Sequence, residues 1–190
     1  MLDFLLNNYK LNIKEIWNLR SAGVYSRWKD EEGDFNDIKE IITTINPTSL
    51  LDIGYGYGRL SPILSDIPFV VGMDISRKML EFSSMHNKGK QNINIVLGDI
   101  RQMPFGNNSF SCVISVRTLN HIHPDDLPSV ERELFRLCQE AVILLESDIK
   151  IKGAAYEFEH NYDQFLSEGF KQIKRKLEEH VYLRVYHKTL

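Results

Sequence analysis

Residues 50–60 read LLDIGYGYGRL: an apolar run, one acid, then glycine at positions 54, 56 and 58. Glycine inside a strand or helix costs roughly 0.5–1 kcal/mol relative to alanine. Three alternating glycines where a strand should stop imply one of two demands. Either the backbone turns through conformations that other residues avoid, or a ligand comes close against the main chain. The segments on either side bear on which.

Upstream, SLLDI reads as a short buried strand, and DFNDIKEIITTI sets Phe35, Ile38, Ile41, Ile42 and Ile45 on one helical face with Asp34 as its N-cap. NIKEIWNLRSAGVYSRW predicts a shorter helix ending near Gly23, with an aromatic-rich link after it. Downstream, RLSPIL opens a helix in which Pro62 is tolerated, because first-turn amides have no intrahelical acceptor. FVVGMD is a second strand; Ser76 then caps RKMLEFSSM, with Ile75 and Leu80 spaced as a hydrophobic staple. INIVLGD, FSCVISV and AVILLE supply three more strands. Between the last two, PDDLPSVERELFRL carries Leu127, Val130, Leu134 and Leu137 on one helical face, its acids at the positive end of the dipole.

Apolar strands alternating with amphipathic helices imply parallel strands covered on both faces. The tail differs: YDQFLSEGF is a short helix closed by Gly169, and KQIKRKL and VYLRVYH form an antiparallel pair around Glu178 and Glu179. The fold class is α/β, a doubly wound, mostly parallel seven-stranded sheet with helices on both faces and a C-terminal antiparallel strand pair.

Bulk composition narrows the partners. The chain has 190 residues, 43% hydrophobic and 26% charged, with a net charge of -3, which suits one soluble domain and does not favour a phosphate-backbone binder. Cys112 and Cys138 share no metal-ligand spacing, and Cys112 sits in FSCVISV as a buried thiol. His121 and His123 bring no further ligands with them, so no metal site is expected. No apolar run approaches the ~20 residues of a membrane span, and the N-terminus lacks a secretory pattern; a cytoplasmic, reduced setting is expected.

The acids sharpen the reading of the glycines. Asp74 closes the second strand, twenty residues after Gly54, where a carboxylate can accept hydrogen bonds from both ribose hydroxyls. Asp99 closes the third strand. A glycine loop and two acids at three successive strand ends point to a nucleoside-bearing ligand. The nicotinamide fingerprint asks for glycine or alanine at the sixth position of the loop, and Arg59 stands there.

The run Asp52-Ile53-Gly54-Tyr55-Gly56-Tyr57-Gly58 resembles the first motif of the class I S-adenosylmethionine-dependent methyltransferases, a Rossmann-like family with seven strands. VVGMDIS is similar to that family's second-strand motif, and VLGDIRQMPFGNNSFSCVIS to the stretch from the third strand through the fourth. TLNHI and the helix after it resemble the small-molecule branch. The resemblance covers about Leu50 to Glu146, and more loosely the closing helix and strand pair in LSEGFKQI and VYLRVYHK.

The resemblance implies that Gly54, Gly56 and Gly58 belong to a cofactor loop lying against the methionine part of S-adenosylmethionine, with Asp52 receiving its ammonium group. Asp74 would hold the ribose with Ile75 beside it. Asp99 would accept from the adenine amino group, and the Ile100 amide would face the ring. Val116 and Arg117 would border the methionine end. Asn120 and His121, with Tyr25 and Tyr57, would line the substrate pocket, and His121 is the candidate base.

It further implies transfer to a small-molecule acceptor with S-adenosylhomocysteine as product, and no nucleic-acid or membrane partner; a homodimer is compatible. One methyltransferase domain over 1–190 would comprise a helical lid over 1–46 containing Tyr25 and Trp28, a cofactor-binding core over 47–150 and a closing segment over 151–190. Tyr55 and Tyr57 replace the small residues usual in that loop, and LCQEAVILLE stands where a proline-glycine-glycine turn is usual. Two alternatives stay open: a catalytically silent cofactor-binding subunit of the same fold, and a NAD-dependent oxidoreductase.

Overall fold

The first strand forms where three large apolar side chains can all be buried. Leu50, Leu51 and Ile53 of β1 (Ser49–Ile53) are fully buried in the computed structural model, which describes residues 9–29, 35–149, 156–165 and 169–189. The chain divides into two units, 1–99 and 100–190. The first contains α1 (Tyr9–Trp28), α2 (Asn36–Ile45), β1, β2 (Phe69–Asp74), α3 (Arg77–His86) and β3 (Ile93–Leu97). The second contains β4 (Phe110–Val116), α4 (Leu127–Leu137), β5 (Cys138–Ser147), β6 (Phe170–Glu178) and β7 (Val181–Lys188), with single 3-10 turns at Leu119–His121 and Tyr162–Gln164.

The seven strands are ordered β3-β2-β1-β4-β5-β7-β6. In the first unit β1 pairs parallel with β2, Asp52 opposite Gly72, and β2 pairs parallel with β3, Asp74 opposite Leu97. In the second, β4 and β5 are parallel, while β7 runs antiparallel to both β5 and β6. The expected fold class is the one observed. The central strands read as unbroken apolar runs because both of their faces are covered. β3 is an edge strand and leaves Asn94, Ile95 and Leu97 exposed. Among the described residues, no helix is long and apolar enough to cross a membrane.

Local capping follows the chemistry of the sequence. Ser76 Oγ accepts from Met79 N at 3.2 Å, an N-cap for α3. α4 begins after Asp126 with Pro128 in its first turn, and buries Val130, Leu134, Phe135 and Leu137. Cys112 and Cys138 are buried free thiols, as expected for Cys112, and burial pushes the Cys138 thiol up to about 12. The basic β6 strand is largely exposed, with Lys174 held by Asp163 at 2.5 Å.

Two local expectations need correction. α1 does not stop at Gly23; it runs on to Trp28, whose side chain lies outside the described residues. Tertiary contacts carry it past the glycine: Tyr25 stacks on Phe82 of α3 at 4.4 Å, and Asn18 Oδ1 accepts from Ser76 Oγ at 2.9 Å and Lys78 N at 3.3 Å. RLSPIL is not a helix. Residues 56–66 form successive turns closed by i to i+3 bonds, such as Ser61 N to Gly58 O and Ile63 N to Leu60 O, because Pro62 supplies no amide to continue a ladder. Of YDQFLSEGF, the described residues include a 3-10 turn at Tyr162–Gln164, and residues 166–168 lie outside the described set. α2 begins after Phe35 without a side-chain cap, and the expected cap Asp34 is also outside that set.

Gly23 has ordinary helical φ, and a Cβ built on it would meet nothing within 4 Å. Gly23→Ala is therefore expected to stabilise the protein by about 0.5–1 kcal/mol. Thermal unfolding should register this as a Tm rise of about 1–4 °C.

Candidate functional site

The loop after β1 is shaped by the end of β2. Gly54 N and Tyr55 N both donate to the Met73 carbonyl, at 2.9 and 3.0 Å. Asp74 then divides its carboxylate between two amides: Gly56 N donates to Oδ2 and Ser76 N to Oδ1, each at 2.8 Å. One side chain thus fixes both the glycine loop and the start of α3. All three loop glycines have positive φ, 69° at Gly54, 58° at Gly56 and 86° at Gly58, so the turn alone demands them.

The space around the glycines separates their uses. A Cβ on Gly56 would meet only Gly54 O, at 3.9 Å, so that side of the loop is open. A Cβ on Gly58 would collide with Asn87 Nδ2 and lie 2.8 Å from Ser61 Oγ and from the Tyr55 hydroxyl. Gly56 leaves room for a ligand. Gly58 leaves room for its own unit's side chains.

Asp52, in β1 two residues before Gly54, is only 3% exposed. Loss of hydration pushes its carboxyl up to about 8; the Asp74 charge pushes the same way, and the Arg59 guanidinium opposes both. Arg59 itself lies over the Phe35 ring at 5.1 Å. Burial also raises Asp74, against the amide hydrogen bonds from Ser76 and Gly56 that favour its ionised form. Two acids answered by one guanidinium make a place where a further positive charge is welcome. Ile75 is half-buried next to Asp74, and Asp99 is half-buried beyond Gly98, whose amide donates to the Asp74 carbonyl at 3.0 Å.

Tyr55 and Tyr57 do not point into the open side. Both are buried, and the Tyr57 ring stands edge-on to Tyr25 at 5.4 Å and to His86 at 5.5 Å. Tyr25 and Tyr57, expected to line a substrate pocket, are thus brought together with Phe82 and His86 in one aromatic cluster.

In the second unit, Ile100 is buried, and Val116 and Arg117 form the exit from β4. Arg117 has φ 54°, a left-handed conformation rare for a long side chain, and its amide donates to Leu145 O at 2.9 Å. The exit is anchored by Glu146, which reading from sequence missed. Its fully buried Oε1 accepts from Ser115 Oγ at 2.8 Å and from Thr118 N and Leu119 N at 3.1 Å. Burial raises the Glu146 carboxyl, and these donors pull it back toward its ionised form. The available signal was the pattern itself, an acid closing the apolar run of β5 as Asp74 closes β2.

Asn120 is buried, its carbonyl accepting from Phe158 N at 2.7 Å while Oδ1 has no partner. His121 Nδ1 lies 3.0 Å from the Tyr156 carbonyl. That contact requires the proton on Nδ1, which puts the neutral ring's lone pair on Nε2. His123 contacts Asp125 instead. Among the described residues, no group of three metal-ligating side chains exists.

Residues 50–141 match the family model described as a methyltransferase domain. The chain is 30% identical over 122 residues to the ubiquinone/menaquinone biosynthesis C-methyltransferase UbiE of Wigglesworthia glossinidia brevipalpis, an alignment covering 60% of this chain and 46% of that protein. The chain thus spans about half the length of this curated relative. Its fold resembles the magnesium protoporphyrin IX methyltransferase ChlM of Synechocystis PCC 6803 with bound SAH, at TM-score 0.71 and 16% identity over 95% of this chain and 99% of that one. It also resembles the DhpI–SAH complex, at TM-score 0.71 and 11% identity over 99% of this chain and 97% of the other.

Two stability measurements follow from the buried acids. Glu146→Gln turns an amide NH2 toward backbone donors and should cost about 1–3 kcal/mol in urea unfolding, with Glu146→Ala, which leaves three donors unanswered, losing more. For Asp52, the folded form keeps its proton from about pH 4 up to about pH 8 while the unfolded chain has released it, so stability falls as pH rises through that window. Asp52→Asn should flatten the fall in the urea midpoint between those limits.

Proposed function

We propose that this chain, whose residues 50–141 match a methyltransferase-domain family model, is an S-adenosylmethionine-dependent methyltransferase that transfers a methyl group to a small-molecule acceptor. The observation that carries this reading is the first unit's loop: Gly56 open to approach, clamped by Asp74, with Asp52 buried below it. The residues fit the cofactor's chemistry, because a cation beside Asp52 would offset the burial and the Asp74 charge that keep its carboxyl protonated.

When bound, the cofactor would supply an electrophilic methyl group to an acceptor's lone pair, with S-adenosylhomocysteine as the leaving group. Asp74 has lone pairs beyond those used by Gly56 and Ser76, and these hold the ribose hydroxyls. Asp52 answers the ammonium group, and Asp99 takes the adenine amino group with the Ile100 amide. Val116 and Arg117 are the candidates for the methionine end. An acceptor that arrives protonated needs a base, and His121, with its proton on Nδ1, offers Nε2. Orientation within about 3–3.5 Å of the methyl carbon supplies much of the acceleration.

The curated relative and ChlM both carry names of enzymes acting on small molecules, which supports that acceptor class. The inward-turned tyrosines weigh against a silent subunit with an occluded loop. The turns over residues 56–66 weigh against nicotinamide chemistry, since a pyrophosphate seeks a helix N-terminus there.

Titration calorimetry with S-adenosylmethionine and S-adenosylhomocysteine tests the reading. Saturable binding is expected, and Asp74→Ala should weaken it by at least about tenfold through the lost charge-assisted hydrogen bonds. Absence of saturable heat with either compound overturns the proposal.

A further inference from the structure

The largest departure from the family pattern is also the most completely accommodated side chain in the loop. Tyr55 is 4% exposed, and its ring lies flat against Gly72 of β2. A Cβ on Gly72 would overlap Tyr55 Cγ and lie 2.6 Å from Cδ1 and Cδ2, so the ring occupies the place of a side chain that β2 does not have. The hydroxyl ends in a polar cluster: Asn87 Nδ2 donates to it at 3.2 Å, and it lies 2.6 Å from Ser61 Oγ. Either the Tyr55 hydroxyl or Ser61 Oγ can donate in that bond. Burial pushes the Tyr55 phenol up to about 12, so the hydroxyl keeps its proton.

Asn87 Nδ2 also reaches Tyr57 O at 3.4 Å and Ser83 O at 3.2 Å, which joins the loop to the C-terminal end of α3. Gly58 completes the fit, since a side chain there would strike Asn87, Ser61 and the Tyr55 hydroxyl. Gly72 and Gly58 are thus two hollows that receive one tyrosine. The Tyr55 amide shares the Met73 carbonyl with the Gly54 amide, and Gly56 follows directly. The ring therefore braces the two glycines from the side opposite the open face of Gly56.

We infer that Tyr55 is a positioning residue: seated on Gly72 and Gly58, it holds Gly54 and Gly56 where the cofactor's methionine part meets the backbone. What the loop holds rests on the proposed function; that Tyr55 fixes the loop does not. The two tyrosines therefore have separate partners, Tyr55 on the sheet and Tyr57 among the aromatic rings of α1 and α3.

The test uses the full chain with Tyr55→Ala, Gly72→Ala, the double variant, Tyr55→Phe and a core control, Ile38→Ala. Each is measured by urea unfolding, by hydrogen exchange at the Gly54, Tyr55 and Gly56 amides, and by calorimetry with S-adenosylhomocysteine. Gly72→Ala drives the ring off β2, and the folded variant should exchange those amides at least about tenfold faster and bind about tenfold more weakly. In the Tyr55→Ala background the same methyl has room, so the double variant should lose nothing beyond Tyr55→Ala, a coupling that additive sites cannot give. Tyr55→Phe keeps the ring seated and should stay within about threefold of wild type in affinity, which also serves where Tyr55→Ala does not fold.

Ile38→Ala should lower the unfolding midpoint and leave the loop amides and the affinity alone. Additive effects at 55 and 72, unchanged loop exchange in folded Gly72→Ala, or equal effects from Ile38→Ala overturn the inference. A wild-type chain that binds neither cofactor form overturns the proposed function, and the exchange measurements still decide the role of Tyr55.

Discussion

The Asp74 carboxylate accepts one backbone amide on each oxygen, from Gly56 and from Ser76. Much of the first unit follows from this arrangement. A strand ends, and its last side chain must be satisfied away from the core. Satisfying it with amides from the loop after β1 and from the start of α3 brings three segments to one point. The carboxylate is costly to bury, which raises its proton affinity, and the two amide donors offset that cost. Burial and the Asp74 charge push the nearby Asp52 carboxyl up to about 8. The loop therefore contains one acid fixed as a clamp and one whose charge depends on what arrives.

The second unit solves a similar problem with Glu146. A carboxylate with no exposure accepts from a hydroxyl and two successive amides, and so fixes a β4 exit that includes a left-handed arginine. Arg184 of β7 is equally enclosed, with Nη2 donating to both oxygens of Asp148 and Nε to Asp163. A hydrophobic substitute could match the packing of such groups. It could not hold a loop backbone in a chosen conformation. In both units the ends of strands are organised by charges that act on main-chain amides or on each other.

The tyrosines show how a loop built for close approach can still carry bulk. Side chains on one face of the loop enter the unit, and Gly72 and Gly58 make the hollow that one of them needs. The opposite face keeps Gly56 clear. A motif read as three equivalent glycines is thus divided: the turn requires all of them, open space surrounds the second, and packing explains the third.

Sequence by itself determined the strand order class, the parallel core with its antiparallel closing pair, the Ser76 cap and the acids at strand ends. These depend on short-range periodicity and on side chains whose preferences are local. Only the tertiary structure decided that α1 passes through Gly23, that RLSPIL turns instead of coiling into a helix, and that Glu146 anchors a loop. It also decided where Tyr55 and Tyr57 go. Apart from the turns at Pro62, those outcomes hang on partners distant in sequence: Phe82 for Tyr25, Gly72 for Tyr55, Thr118 for Glu146. Periodicity reports which face of an element is apolar, but it carries no information about what lies opposite, and a glycine in one strand announces nothing about the ring that will fill its place.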